Sequence, residues 1–96
     1  MQFLIVTSRN LEQFSLEAFT TTLLESEAQR VRELYAAGVI RQIWRRADKP
    51  GACILVEAAS EDEAQEAMAS LPLAQRDMLE LQILTQLLPY PGLGPR

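Results

Sequence analysis

The sequence predicts an α+β fold in β-α-β-β-α-β order, with an antiparallel four-stranded sheet and both helices on one of its faces. Three observations predict it. Two segments repeat their apolar residues at a helical period, and four shorter runs are rich in strand formers. A Pro-Gly pair separates the two middle runs as a hairpin turn would. Apolar side chains also point both ways from the first run, as in a strand covered on both sides. At 96 residues the chain has length for one domain, expected over 1–96 with residues 88–96 as a C-terminal tail.

The first strand is Gln2 to Ser8, QFLIVTS, ending at the polar stretch Ser8-Arg9-Asn10. Phe3, Ile5 and Thr7 point one way, and Leu4 and Val6 the other. From about Leu16 to Ala37 the period becomes helical. Leu16, Phe19, Leu23, Leu24, Val31, Leu34 and Tyr35 form one stripe, with Glu25, Glu27, Arg30, Arg32 and Glu33 largely off it. Gly38 stands where a left-handed terminator belongs. One long helix capped by Ser15 is expected, with its weak point at the β-branched run Thr20 to Thr22. Thr22-x-x-Glu25 offers a later start as a capping box.

Val39 to Arg46 and Ala52 to Ala58 read as strands around the turn Ala47-Asp48-Lys49-Pro50-Gly51. A symmetric hairpin pairs Arg46 with Gly51, Trp44 with Cys53 and Gln42 with Leu55. That sorts Ile40, Gln42, Trp44, Cys53, Leu55 and Glu57 onto one face, and Val39, Arg41, Ile43, Ile54 and Val56 onto the other. Ser60 to Glu63 is a capping box opening a second helix, Glu61 to about Ser70, with Ala64, Ala67, Met68 and Leu71 inward. Leu71-Pro72-Leu73 closes it, since Pro cannot continue a helix. Met78 to Leu87 is the last strand, where Leu79, Leu81 and Ile83 alternate with Glu80 and Gln82.

Right-handed crossovers and the hairpin make this a ferredoxin-like sheet. Helices cover one face only. The other would leave on the order of several hundred Å² of apolar surface open, more than a soluble monomer usually carries. A second copy, packed sheet on sheet, is the expected cover. Alternation leaves open which face is that interface and which lines a cleft under the helices.

Composition narrows the function. Acids outnumber bases 13 to 9, for a net charge of -4, so no nucleic-acid partner is expected. One cysteine, Cys53, excludes an internal disulfide and reads as a small buried strand residue. With no histidine, the commonest general base and metal ligand are both missing, and so is the usual haem ligand. No metal site is expected. No apolar run approaches membrane-spanning length, and no signal-peptide pattern opens the chain, so no membrane partner and a cytoplasmic location are expected.

The stretch Arg30 to Arg45, RVRELYAAGVIRQIWR, couples a helix ending in Gly to a strand reading R-x-x-W-R through Arg41, Trp44 and Arg45. Together with Leu71-Pro72-Leu73 after the second helix and the Pro-containing tail, it resembles the muconolactone isomerase family of the dimeric α+β barrel superfamily. The resemblance spans nearly the whole chain. It implies a homo-oligomer of dimeric or higher order, and a cofactor-free isomerase moving a proton within a small lactone or carboxylate. Where the family strand carries an aromatic residue and a His before the Trp, this chain has Ile40 and Gln42. The first helix also lacks the family's lysines.

Such chemistry needs a base near an acidic carbon and a cation for the developing negative charge. By position in the family, Glu27 is the candidate base; its other reading is a solvated helix-face residue. Arg41 is a candidate catalytic cation. With Arg45 on the same strand face it suits bidentate carboxylate binding. Both arginines also suit ion pairs with Glu57 or Glu80. Trp44 is a candidate pocket wall or an interface residue, Gln42 and Glu57 are candidate substrate contacts, and Glu57 and Glu80 are alternative bases. A non-catalytic ligand-binding or assembly module of the same fold is the competing reading.

Overall fold

The computed structural model describes residues 1–93; Gly94, Pro95 and Arg96 of the expected tail lie outside the described residues. The elements are β1 (Gln2–Arg9), a single 3-10 turn (Leu16–Ala18), α1 (Thr21–Ala36), β2 (Ile40–Arg45), β3 (Gly51–Glu57), α2 (Glu61–Ala69), a short α3 (Pro72–Gln75) and β4 (Leu79–Leu87). The four strands form one sheet in the order β2-β3-β1-β4, every neighbouring pair antiparallel. This is the ferredoxin-like arrangement. Among the described residues no helix is long and apolar enough to cross a membrane.

Local chemistry sets the ends of the helices. Thr20 caps α1, its hydroxyl accepting from the Leu23 amide at 3.2 Å. The helix expected from Leu16 is therefore interrupted. Leu16 turns outward in the 3-10 turn, and Phe19 and Thr20 leave helical geometry before α1 begins. The β-branched threonine is a better cap than a helix interior residue, so the break falls there. At the other end Gly38 takes a φ of 80°. Its amide donates to the Tyr35 carbonyl at 3.0 Å, and that of Val39 to Leu34 at 2.9 Å. Both bonds of a Schellman terminator are thus made. Ser60 caps α2 through the Glu63 amide at 3.1 Å. Pro72 does more than close α2: it occupies the first turn of α3, where its missing N–H costs nothing.

The hairpin pairs as expected, Trp44 with Cys53 and Gln42 with Leu55, and the Arg46 amide bonds the Gly51 carbonyl. Two bulges alter the faces. Arg41 is an extra residue opposite β3, so Ile40 pairs with Val56 and turns into the core instead of sharing the face of Trp44. Gln82 is the extra residue in β4, lying between Leu81, which pairs with Thr7, and Ile83, which pairs with Val6. Leu81 and Ile83 therefore sit on opposite faces, where simple alternation had placed them together.

The helices cover the face bearing Phe3, Ile5, Ile54 and Val56, which pack with Leu34, Ala64, Met68 and Leu71 as the main core. A smaller cluster of Phe19, Leu23, Leu73 and Met78 lies at the end of the sheet. The second face has no cover. Leu4, Val6, Cys53 and Leu55 are only half-buried there, while Trp44 is 52%, Ile83 47% and Leu87 39% exposed.

Gly51 lies where β3 presses on β1. A Cβ at this position would strike the Thr7 carbonyl oxygen and come within 2.9 Å of the Ser8 Cα, both backbone atoms with no freedom to retreat. The Arg46 guanidinium donates to the same Thr7 carbonyl at 3.3 Å and grips Asp48 with two bonds of 3.0 and 2.7 Å. Gly51→Ala is expected to destabilise by about 1–3 kcal/mol through overpacking. Thermal unfolding reads this as roughly 4–8 °C lost per kcal/mol for a chain of this size. An unchanged melting temperature would refute the close approach.

Candidate active site

A cleft of about 690 Å³ opens between α1 and the helix-covered face of the sheet, near the β2–β3 turn. Its volume is in the range of small-molecule sites. Strand alternation decides which side chains reach it. Thr7 and Arg9 of β1, Ala52 and Ile54 of β3, and Ile43 and Arg45 of β2 lie on this face. From above, α1 contributes Leu24, Glu27, Ala28 and Val31. The floor is apolar, and the charge stands at its edges.

Glu27 is the only acid that α1 turns into this cleft. Its Oε1 accepts from the Leu73 amide at 2.9 Å. The bond is understandable from α3, whose N-cap is Leu71, a residue with no oxygen to offer; a carboxylate from another helix satisfies the orphan donor instead. Among the described residues no fully buried side-chain oxygen lacks a partner, so Oε2, which has no protein hydrogen bond, retains some exposure, and Glu27 lines the cleft. Burial pushes the Glu27 carboxyl above its usual value, against the smaller opposite pulls of the Leu73 amide and the positive charge of Arg9.

The structure divides the residues singled out in the sequence. Glu27 and Arg45 line the cleft together. Trp44, adjacent to Arg45, points from the opposite, uncovered face with Gln42, because neighbouring strand residues must diverge. Glu57 pairs with Gln2 on that far face and meets the Met1 amino group at 2.6 Å. That contact, with the charge of Arg41 as a smaller influence, holds the Glu57 carboxyl below its usual value. Arg41 sits at the bulge and Glu80 is exposed opposite Ser8; neither lines the cleft. Arg9 and Lys49, which do, carried no functional signal in the sequence beyond ending a strand and filling a turn. Among the described residues no cluster of acidic, Cys or His side chains is arranged to hold a metal.

The model of the family described as muconolactone delta-isomerase matches residues 1–91. Among solved structures, a crystal structure of muconolactone isomerase superposes with a TM-score of 0.77 at 21% identity, covering 95% of this chain and 92% of the other. The 5-chloro-2-hydroxyhydroquinone dehydrochlorinase of Burkholderia phenoliruptrix AC1100, in complex with 2,5-dihydroxybenzoquinone, superposes with a TM-score of 0.71 at 19% identity, covering 91% and 93%. At these identities the two structures establish a shared fold. No curated relative matches the chain.

The raised Glu27 carboxyl has a consequence for stability. The folded state holds this proton more tightly than the unfolded chain does, so the associated stability is present below the ordinary carboxylate range. It is lost as pH rises through the raised value. Glu27→Gln keeps the acceptor for Leu73 and removes the titration. The melting temperature of the Gln variant relative to the original is therefore expected to increase with pH across that window. A difference independent of pH would contradict the burial argument.

Proposed function

We propose that this chain, which belongs to the muconolactone delta-isomerase family, is a cofactor-free enzyme that moves a proton within a small lactone or related acidic carbon compound. The observation that carries the reading is the half-buried Glu27 carboxylate, anchored through one oxygen and open through the other, at the wall of a cleft whose remaining charges are largely positive. In the proposed reaction the carboxylate takes a proton from a carbon made acidic by a nearby carbonyl. The C–H electron pair moves into the conjugated system and places negative charge on the carbonyl oxygen. The proton then returns from Glu27 to another carbon on the same face of the ligand. No electrons are gained or lost, so neither an oxidant nor a reductant is invoked.

Desolvation supports this role, because a carboxyl with a raised pKa is a stronger base when ionised. Anchoring by Leu73 keeps it from swinging away. Arg45, exposed at the rim, suits the carboxylate of an incoming ligand. The dehydrochlorinase with the same fold is bound to a small oxygenated ring, consistent with a compact ligand here. The Glu27–Leu73 bond also favours a second reading, in which Glu27 only caps α3 and the protein binds or assembles without turnover.

Two experiments separate these readings. Purified protein is expected to convert muconolactone, followed by ultraviolet absorbance, and Glu27→Gln to lower kcat by about 10²–10⁴-fold while leaving the circular dichroism spectrum intact. Equal turnover by both proteins would remove Glu27 from the chemistry, and none by either would reject this substrate.

We also propose that a second copy covers the open face around Trp44, Val6 and Ile83, so that Trp44, Gln42 and Glu57 serve assembly. Trp44→Glu should then lower the mass measured by light scattering to that of the monomer. A variant of unchanged mass would place the interface elsewhere.

A further inference from the structure

We propose that Arg9 is the anion-binding residue of the cleft, holding a charged ligand oxygen beside Glu27; the inference deepens the function proposed above and rests on its placement of the site. The protein carries a net charge of -4, yet four cationic side chains, Arg9, Arg45, Arg46 and Lys49, line the cleft against the acids Glu27 and Asp48. Arg46 and Asp48 satisfy each other through a bidentate pair. Three cations then face one carboxylate, and among the described residues none of the three forms an ion pair. An excess of unpaired positive charge in a partly apolar recess is a site for an anion.

Arg9 differs from the other two. Arg45 and Lys49 are exposed at the rim, whereas Arg9 is half-buried. Its backbone is fixed on both sides, by pairing with Leu79 of β4 and by an amide bond of 3.0 Å to the Pro50 carbonyl. Its guanidinium carbon lies 5.1 Å from the centre of the Phe19 ring, and Phe19 is itself only 6% exposed. Stacking on a buried ring restrains the side chain while leaving the in-plane N–H groups available.

Arg9 also acts on Glu27 without touching it. Its charge pulls against the effect of burial at that carboxyl, but no ion pair joins them. Both groups line the same cleft, and no ion pair closes the space between them. When Glu27 removes a proton, the acid becomes neutral and the ligand oxygen becomes negative. A fixed guanidinium beside that oxygen gains attraction at the moment the charge develops, which is the arrangement that lowers a barrier.

The test is binding, so it does not depend on turnover. The full chain, labelled with nitrogen-15, is titrated with 2-furoate, a planar five-membered-ring carboxylate, and with neutral furfuryl alcohol as control. Furoate alone is expected to move the Arg9 side-chain N–H resonance to saturation. Arg9→Gln should weaken furoate binding by about tenfold or more, the effect of one charge-assisted bond. Arg9→Lys, which keeps the charge and guards against a misfolded variant, should bind between the two. Unchanged affinity in Arg9→Gln, furoate shifts confined to Arg45, or no binding by the original protein would each overturn the assignment. Furoate held at Arg9 by a protein that does not convert muconolactone would keep the anion site and reject that lactone as the substrate. Lactone conversion unaltered in kcat and KM by Arg9→Gln would do the reverse.

Discussion

The two-residue period of a β-strand governs this molecule, because only one layer of helices is available to a sheet with two sides. Phe3, Ile5, Ile54 and Val56 use that layer to form the core. Their immediate neighbours Leu4, Val6, Cys53 and Leu55 are committed by the same geometry to the side the helices do not reach. The same rule separates Arg45 from Trp44. It sends one to the cleft and the other to the open face, so the proposed chemistry and the proposed assembly would draw on adjacent residues without competing for space.

The irregular segment before α1 shapes the surroundings of the cleft's charged groups. Thr20 caps the helix, and the 3-10 turn before it leaves Phe19 to pack with Leu23, Leu73 and Met78 at the end of the sheet. That cluster sets Leu73, whose amide anchors Glu27, and supplies the ring against which Arg9 rests. One short irregular segment thus supports both the proposed base and the proposed anion contact. Glu27 is correspondingly bound to two requirements, as acceptor for α3 and as the carboxylate open to the cleft.

Much of the fold was legible because its signals are local. Ser60 with Glu63, Gly38 after a helical run, and Pro50-Gly51 between two strands each carry their meaning within a few residues, and the caps and hairpin register follow them. The late start of α1 was harder, since Ser15 and Thr22 were the caps read from the sequence and the helix takes Thr20, between them. The bulges at Arg41 and Gln82 break alternation with residues that resemble any other strand residue, so the inward turn of Ile40 was not readable. Within the site, Glu27 could be carried over by family position. Arg9 could not, because its neighbours Phe19 and Glu27 meet it only through the folded chain.

The single extra residue at Gln82 works as a phase shift halfway along β4. Before it, Leu79 and Leu81 face the helices; after it, Ile83 and Leu87 face outward, although all four stand at odd positions of one strand. The two pairs of side chains consequently answer to different surroundings, the first to what the helices enclose and the second to the open face. Substitutions at Ile83 or Leu87 would therefore alter the open face and leave the side chains under the helices in place. Deleting Gln82 would remove the bulge yet keep Leu81 opposite Thr7 and Ile83 opposite Val6, so each pair would hold its face of the sheet.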